Sequence, residues 1–217
     1  VKNSVRTALF GFTALLLSGC GSIVGSFVGP QKIGDPLGLE GKTLTTDPFD
    51  TLRAAAVSTR VTYTTETPFD DVTVGELPLN LKPYGISLQL DVISATATGT
   101  QCVAPSSATL VLKDFAASVY DKRNPDNVAR ITAQNSASLS LKLRPGSPDT
   151  YDITGGTVNA AGNESSALLA FSILIGTDKA SNIANVSANI TSTEDGLKGC
   201  SLTFTMKNVQ TTLSNFK

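Results

Sequence analysis

Residues 86–92 read ISLQLDV, in which Ile86, Leu88, Leu90 and Val92 alternate with Ser87, Gln89 and Asp91. Successive side chains of an extended chain point to opposite faces, so this period of two marks a strand with one buried and one wet side. The same pattern recurs outward in both directions. Val57, Thr59, Val61 and Tyr63 alternate with polar neighbours, as do Leu139, Leu141 and Leu143, and Leu202, Phe204 and Met206. Turn signals punctuate these runs at Lys82-Pro83, Asn124-Pro125, Arg144-Pro145-Gly146, Gly155-Gly156 and Asp195-Gly196. Ala167–Ile175 (ALLAFSILI) is apolar throughout and reads as a central strand covered on both faces, with a short helix as the alternative. Arg53–Ala56 has room for one helical turn.

Two stretches echo each other. Leu88–Cys102 (LQLDVISATATGTQC) and Val186–Cys200 (VSANITSTEDGLKGC) have the same length and both end in Cys. Beyond the cysteines, Ala108–Tyr120 matches Leu202–Ser214, and both carry the same defect. Alternation slips by one residue at Lys113-Asp114 and again at Lys207-Asn208. A slip reverses the buried face, so each requires a β-bulge or a crossing between sheets. The expectation is an all-β domain, an antiparallel β-sandwich or closed β-barrel of about 8–10 strands containing two similar hairpins, each centred on a Cys.

Composition narrows the chemistry. The chain has 217 residues, 41% hydrophobic and 16% charged, with a net charge of −1. That is neither a disordered composition nor a polytopic membrane one. There is no basic stripe, so no nucleic-acid partner is expected. The chain contains no His, which excludes Ser-His-Asp and Cys-His catalysis and His-ligated zinc or haem. It contains no Trp, and aromatics are 6%, a thin supply for stacking platforms.

Residues 1–20 read VKNSVRTALFGFTALLLSGC. Lys2 and Arg6 precede an apolar stretch from Ala8 to Leu17, followed by small residues, which is the layout of a secretory signal. The apolar stretch is too short to cross a bilayer, which takes about 20 residues. Leu17-Ser18-Gly19-Cys20 resembles the lipobox of bacterial lipoproteins. That resemblance implies a lipidated Cys20, cleavage before it, and membrane lipid as a partner held through two or three acyl chains. Gly21, in place of Asp, resembles the outer-membrane-directed class of Gram-negative hosts. The implied address is the cell envelope.

The expected organisation is a signal peptide over 1–19, a lipidated flexible tether over 20–46, of which residues 37–46 are alternatively an edge segment packed on the domain, and a single β domain over 47–217. In an exported chain the two remaining cysteines, Cys102 and Cys200, are expected to pair.

The carboxylates lie in turn-like sequence: Asp70-Asp71, Asp126 between Asn124 and Asn127, Asp149 with Asp152, and Glu194-Asp195. None has the spacing of a calcium loop, and turn residues that bond their own backbone account for them. Asn163, Asn185 and Asn189 sit in incidental Asn-x-Ser/Thr triplets, and Gly155-Gly156 is a turn rather than a phosphate cradle. No catalytic residue, cofactor or metal ligand is expected. The favoured function is a non-enzymatic binding or structural module whose partner is an envelope protein or glycan. A carrier or sensor of an apolar ligand or lipid in a barrel cavity is the alternative. A hydrolase is the second, using Ser-Lys chemistry or a carboxylate pair such as Glu66 with Glu76.

Overall fold

The computed structural model describes residues 28–49, 57–66, 81–175, 182–192 and 195–217. The leader, Cys20, Arg53–Ala56, Asp70-Asp71, Glu76 and Glu194 lie outside the described residues. Eleven strands form one antiparallel sheet. They are β1 (Gln31–Gly34), β2 (Thr43–Thr45), β3 (Val57–Glu66), β4 (Pro83–Thr98), β5 (Ser107–Asp121), β6 (Ala129–Ala133), β7 (Ala137–Leu143), β8 (Thr150–Thr154), β9 (Thr157–Gly162), β10 (Asn182–Ser192) and β11 (Ser201–Phe216). One helix, α1 (Glu164–Leu174), lies between β9 and β10. The main path through the sheet is β1-β11-β4-β8-β7-β5-β10-β3, with β2 on β11 and the β6–β9 pair bridging β5 and β4. The sheet curls until β2 approaches β3 within 8 Å between Cα atoms, although no ladder joins them among the described residues. Its inner face carries the core, including Leu44, Val61, Leu88, Leu110, Leu139, Phe204 and Leu213.

Both expected slips are bulges. Buried residues alternate through Leu112, fail at Lys113 and Asp114, and resume at Phe115; in β11 they run through Met206, fail at Lys207 and Asn208, and resume at Val209. Asp114 (φ 52°) and Asn208 (φ 51°) occupy the left-handed region, which Asp and Asn tolerate better than other side chains.

The two expected hairpins are corrected. β4 does not pair with β5, nor β10 with β11; instead β4 pairs with β11 and β10 with β5. The echoed units have exchanged strands, and the two ladders match from Leu88 to Val92 and from Val186 to Ile190; beyond Val92, β4 holds one extra residue, so that Ser94 faces Thr205 where Thr191 faces Val111. Leu88 faces Thr211 as Val186 faces Ala117, and Asp91 faces Lys207 as Asn189 faces Lys113. The match extends past the echoed sequence. Leu44 of β2 faces Phe204 as Leu139 of β7 faces Leu110, and Lys32 of β1 faces Thr212 as Arg130 of β6 faces Ser118. The single strand β3, along β10, has β9 and β8 together, along β4, as its counterpart. The domain is therefore two equivalent strand sets, β1–β5 and β6–β11, interleaved about a pseudo-twofold axis.

Two further expectations change. Residues 31–34 and 43–45, assigned from sequence to the tether, join the sheet against β11, and Leu37, Leu39 and Leu44 are buried. Thr46, also buried, accepts the Leu202 amide at 2.9 Å through its hydroxyl. Among the described residues the sheet begins at Gln31, and Val28 before it packs against the core. The Ala167–Ile175 run, read as a central strand, is helical through Leu174. Asn163 caps it, its side chain accepting the Ser166 amide at 2.8 Å, and Glu164 favours the positive end of the helix dipole. Ala167, Ala170 and Leu174 are buried at helical spacing.

Gly155-Gly156 is a kink within one continuing strand rather than a reversal, since β8 and β9 both run along β4. A Cβ on Gly156 would sit 2.2 Å from the Val92 carbonyl oxygen, so only glycine fits this approach.

The capped end as candidate functional site

The pseudo-twofold gives the domain two unlike ends. At one, the chain crosses from β4 to β5 and from β10 to β11, and these crossings are joined by the Cys102–Cys200 disulfide (S–S 1.97 Å, Cα–Cα 4.5 Å). The expected pairing is present. Cys200 is fully buried and Cys102 half-buried. Beside them Tyr151, fully buried, donates its hydroxyl to the Pro105 carbonyl at 2.9 Å and holds the chain that follows Cys102. Burial pushes the Tyr151 phenol up to about 12.

The other end is closed by α1. Ala170 and Leu174 lie over Ile86, Ala117, Ala129 and Ile131, with Pro36 and Leu37 completing the cover. A cavity of about 10 Å³ remains beneath, the room of about one water. One polar atom in its lining is unusual: the Thr211 hydroxyl, on a residue only 2% exposed, has no hydrogen-bond partner among the described residues. The equivalent position in the other strand set is Ala117.

Outside this cavity, Arg130, Thr132, Gln134, Gly162, Asn163 and Ser166 border an open polar cleft of about 430 Å³. Its geometry follows from close packing: a Cβ on Gly162 would meet Ile86 at 2.7 Å and Ser166 at 3.1 Å. The Ser166 hydroxyl accepts the Arg130 amide at 3.2 Å, which ties α1 to β6.

The candidate carboxylates are dispersed and engaged in structure. Asp152 pairs with the Arg144 guanidinium at 2.6 Å; that hydrogen bond holds its carboxyl below the usual range. Asp149 accepts the Ser147 and Thr150 hydroxyls within its own turn, at 3.1 and 3.0 Å. Asp126 is exposed in a turn in which the Asn127 amide bonds the Asn124 carbonyl. Among the described residues no group of three or more acidic or cysteine side chains is placed to hold a metal ion.

Sequence reading located both bulges but missed the polar pair at each. Asn189 donates to Asp114 at 2.8 Å, and Asn208 donates to Asp91 at 2.8 Å. Acid and amide have changed places between the two copies. Asp91 also accepts the Thr157 hydroxyl at 2.6 Å, and these bonds, Thr157 first, lower its pKa.

No protein-family model matches the chain, and no curated protein matches it. Among solved structures, a family 7 alginate lyase in complex with its substrate aligns over 85% of this chain and 98% of its own, at 8% identity and a TM-score of 0.21. At that score the likeness carries no argument about fold or activity.

Proposed function

We propose that the protein is a cell-envelope lipoprotein, anchored through acylated Cys20, whose β domain acts as a non-enzymatic binding or structural module. The observation that carries this reading is the sequence Leu17-Ser18-Gly19-Cys20 closing a short apolar leader. Two cavities favour a module over a carrier of an apolar ligand. Ligand pockets take roughly 300–1,000 Å³, whereas the apolar cavity under α1 has about 10 Å³, and the cleft of about 430 Å³ beside it is open and bordered by Arg130, Thr132, Gln134 and Asn163. The hydrolase reading gains nothing from Asp149 and Asp152, which are engaged in a turn and an ion pair, and its Glu66–Glu76 pair lies outside the described side chains. Intact-mass measurement of the native product tests the anchor: a chain beginning at acylated Cys20 is expected, and an unmodified thiol there refutes it. Cys20→Ser is expected to release the domain from membranes. Lipid extraction of the natively purified protein, with a bound apolar molecule recovered, would restore the carrier.

A further inference from the structure

Taking the lipid anchor of the proposed function as given, we propose that the α1-capped end of the domain is its bilayer-facing surface. The disulfide end then points away, toward partners. The argument starts from where the chain enters the sheet. β1 pairs with the C-terminal half of β11, Gln31 lying opposite Leu213. Entry is therefore at the capped end, where β11 finishes, β4 starts, and α1 packs.

Length turns this placement into an orientation. From Leu213 back to Ser201, beside the disulfide, β11 runs about 40 Å at roughly 3.3 Å per residue. From Cys20 to Gln31 the chain spans at most about 40 Å, even fully extended. The disulfide end could touch the membrane only with that link drawn to its limit along the whole domain. The capped end reaches it at any extension.

The side chains at the capped end suit an interface between water and lipid. Ile175, following α1, is 52% exposed, one of two large hydrophobic residues so exposed among those described. Lys82 and Lys217 exchange backbone hydrogen bonds at 3.1 Å, and the Lys217 ammonium lies 4.6 Å from the Tyr84 ring centre. Tyr120 ends β5 nearby, opposite Ile183. Tyrosine and lysine around an exposed aliphatic residue are the side chains that settle at headgroup level, ring or stem toward the acyl region and polar tip in water. The other exposed hydrophobic residue, Val103 at 81%, follows Cys102 at the far end.

Hydrogen exchange on the acylated full chain in vesicles of phosphatidylethanolamine and phosphatidylglycerol tests this, with the Cys20→Ser chain mixed with the same vesicles as reference. Slower exchange is expected at Ser172–Ile175, Lys82, Tyr84 and Asn215–Lys217, with Gln101–Ala104 unchanged. Ile175→Asp combined with Lys82→Glu is expected to abolish the slowing while the chain still floats with the vesicles. Slowing at Gln101–Ala104, slowing that survives the double variant, or no slowing on a floating chain would overturn the orientation and leave the anchor intact. A wild-type chain with no lipid on Cys20, failing to float, would remove the anchor and the orientation with it.

Discussion

Strands β1–β5 and β6–β11 use matching ladder registers over most of their length, yet among the described residues only the second set carries a helix, α1, which follows the kinked β9. Shared register means shared mechanical work: inward-facing Leu44 and Leu139, bulged Asp114 and Asn208, and Cys102 and Cys200 all fall at equivalent places. The difference gathers at one end. Where α1 lies over the inner face, Thr211 and Ala117 depart from equivalence, and the polar cleft opens beside α1. The repeated part accounts for rigidity, and the unrepeated part distinguishes the two faces offered to the surroundings.

The largest expected effect comes from cutting the link between the sets. Cys102→Ala with Cys200→Ala removes the closure of a 98-residue separation, worth about 4–5 kcal/mol in the chain-entropy model. Urea unfolding with and without reductant measures it; a loss under about 1 kcal/mol would mean that the interleaved ladders already constrain the unfolded chain. Gly156→Ala should cost about 3 kcal/mol, because its Cβ would displace the Val92 backbone. The cost should appear as a lowered urea midpoint. Leu44→Ala and Leu139→Ala test equivalence directly, each expected to cost about 3 kcal/mol. If β2 is only a loose edge, Leu44→Ala will cost much less than its counterpart.

Thr211→Val runs the other way. It replaces an unpartnered buried hydroxyl by a methyl group of similar shape and should stabilise by about 1 kcal/mol. A lower melting temperature would show that the hydroxyl is satisfied by an ordered water. The smallest effect belongs to Asp91. Its pKa is lowered in the fold, so its contribution is present above the unfolded carboxylate value of about 3.9 and is lost as pH falls through the folded value. Asp91→Asn should flatten the acid side of the stability profile, read as urea midpoints between about pH 5 and 3.

What could be read from sequence was whatever is local and periodic. The alternation at Ile86–Val92, the paired slips at Lys113-Asp114 and Lys207-Asn208, and the Cys102–Cys200 bond needed no partner to be recognised. The exchange of strands was hidden because sequential strands are usually neighbours, which makes a hairpin the default for β4–β5. β1 escaped, and β2 stood only as an alternative edge segment, because three or four residues among Gly and Pro show no period, and their burial exists only against β11. The helix stood second to a buried strand because its apolar run has no polar face, although Asn163 followed by Glu164 was an available start signal. At the candidate site, the capped end could not be foreseen: it depends on α1 and on where β1 docks, and both follow from tertiary packing.

Strand exchange also governs how quickly this protein can be finished. β11, the last strand of the chain, supplies ladders to β1, β2 and β4, and Thr43 through Thr45 must wait for partners roughly 160 positions later. Such non-local pairing makes folding slow. A chain emerging N-terminus first cannot seal its sheet until Ser201–Phe216 has arrived. Until then the edges of β1, β2 and β4 that β11 will occupy stand unpaired, open to pairing with other chains.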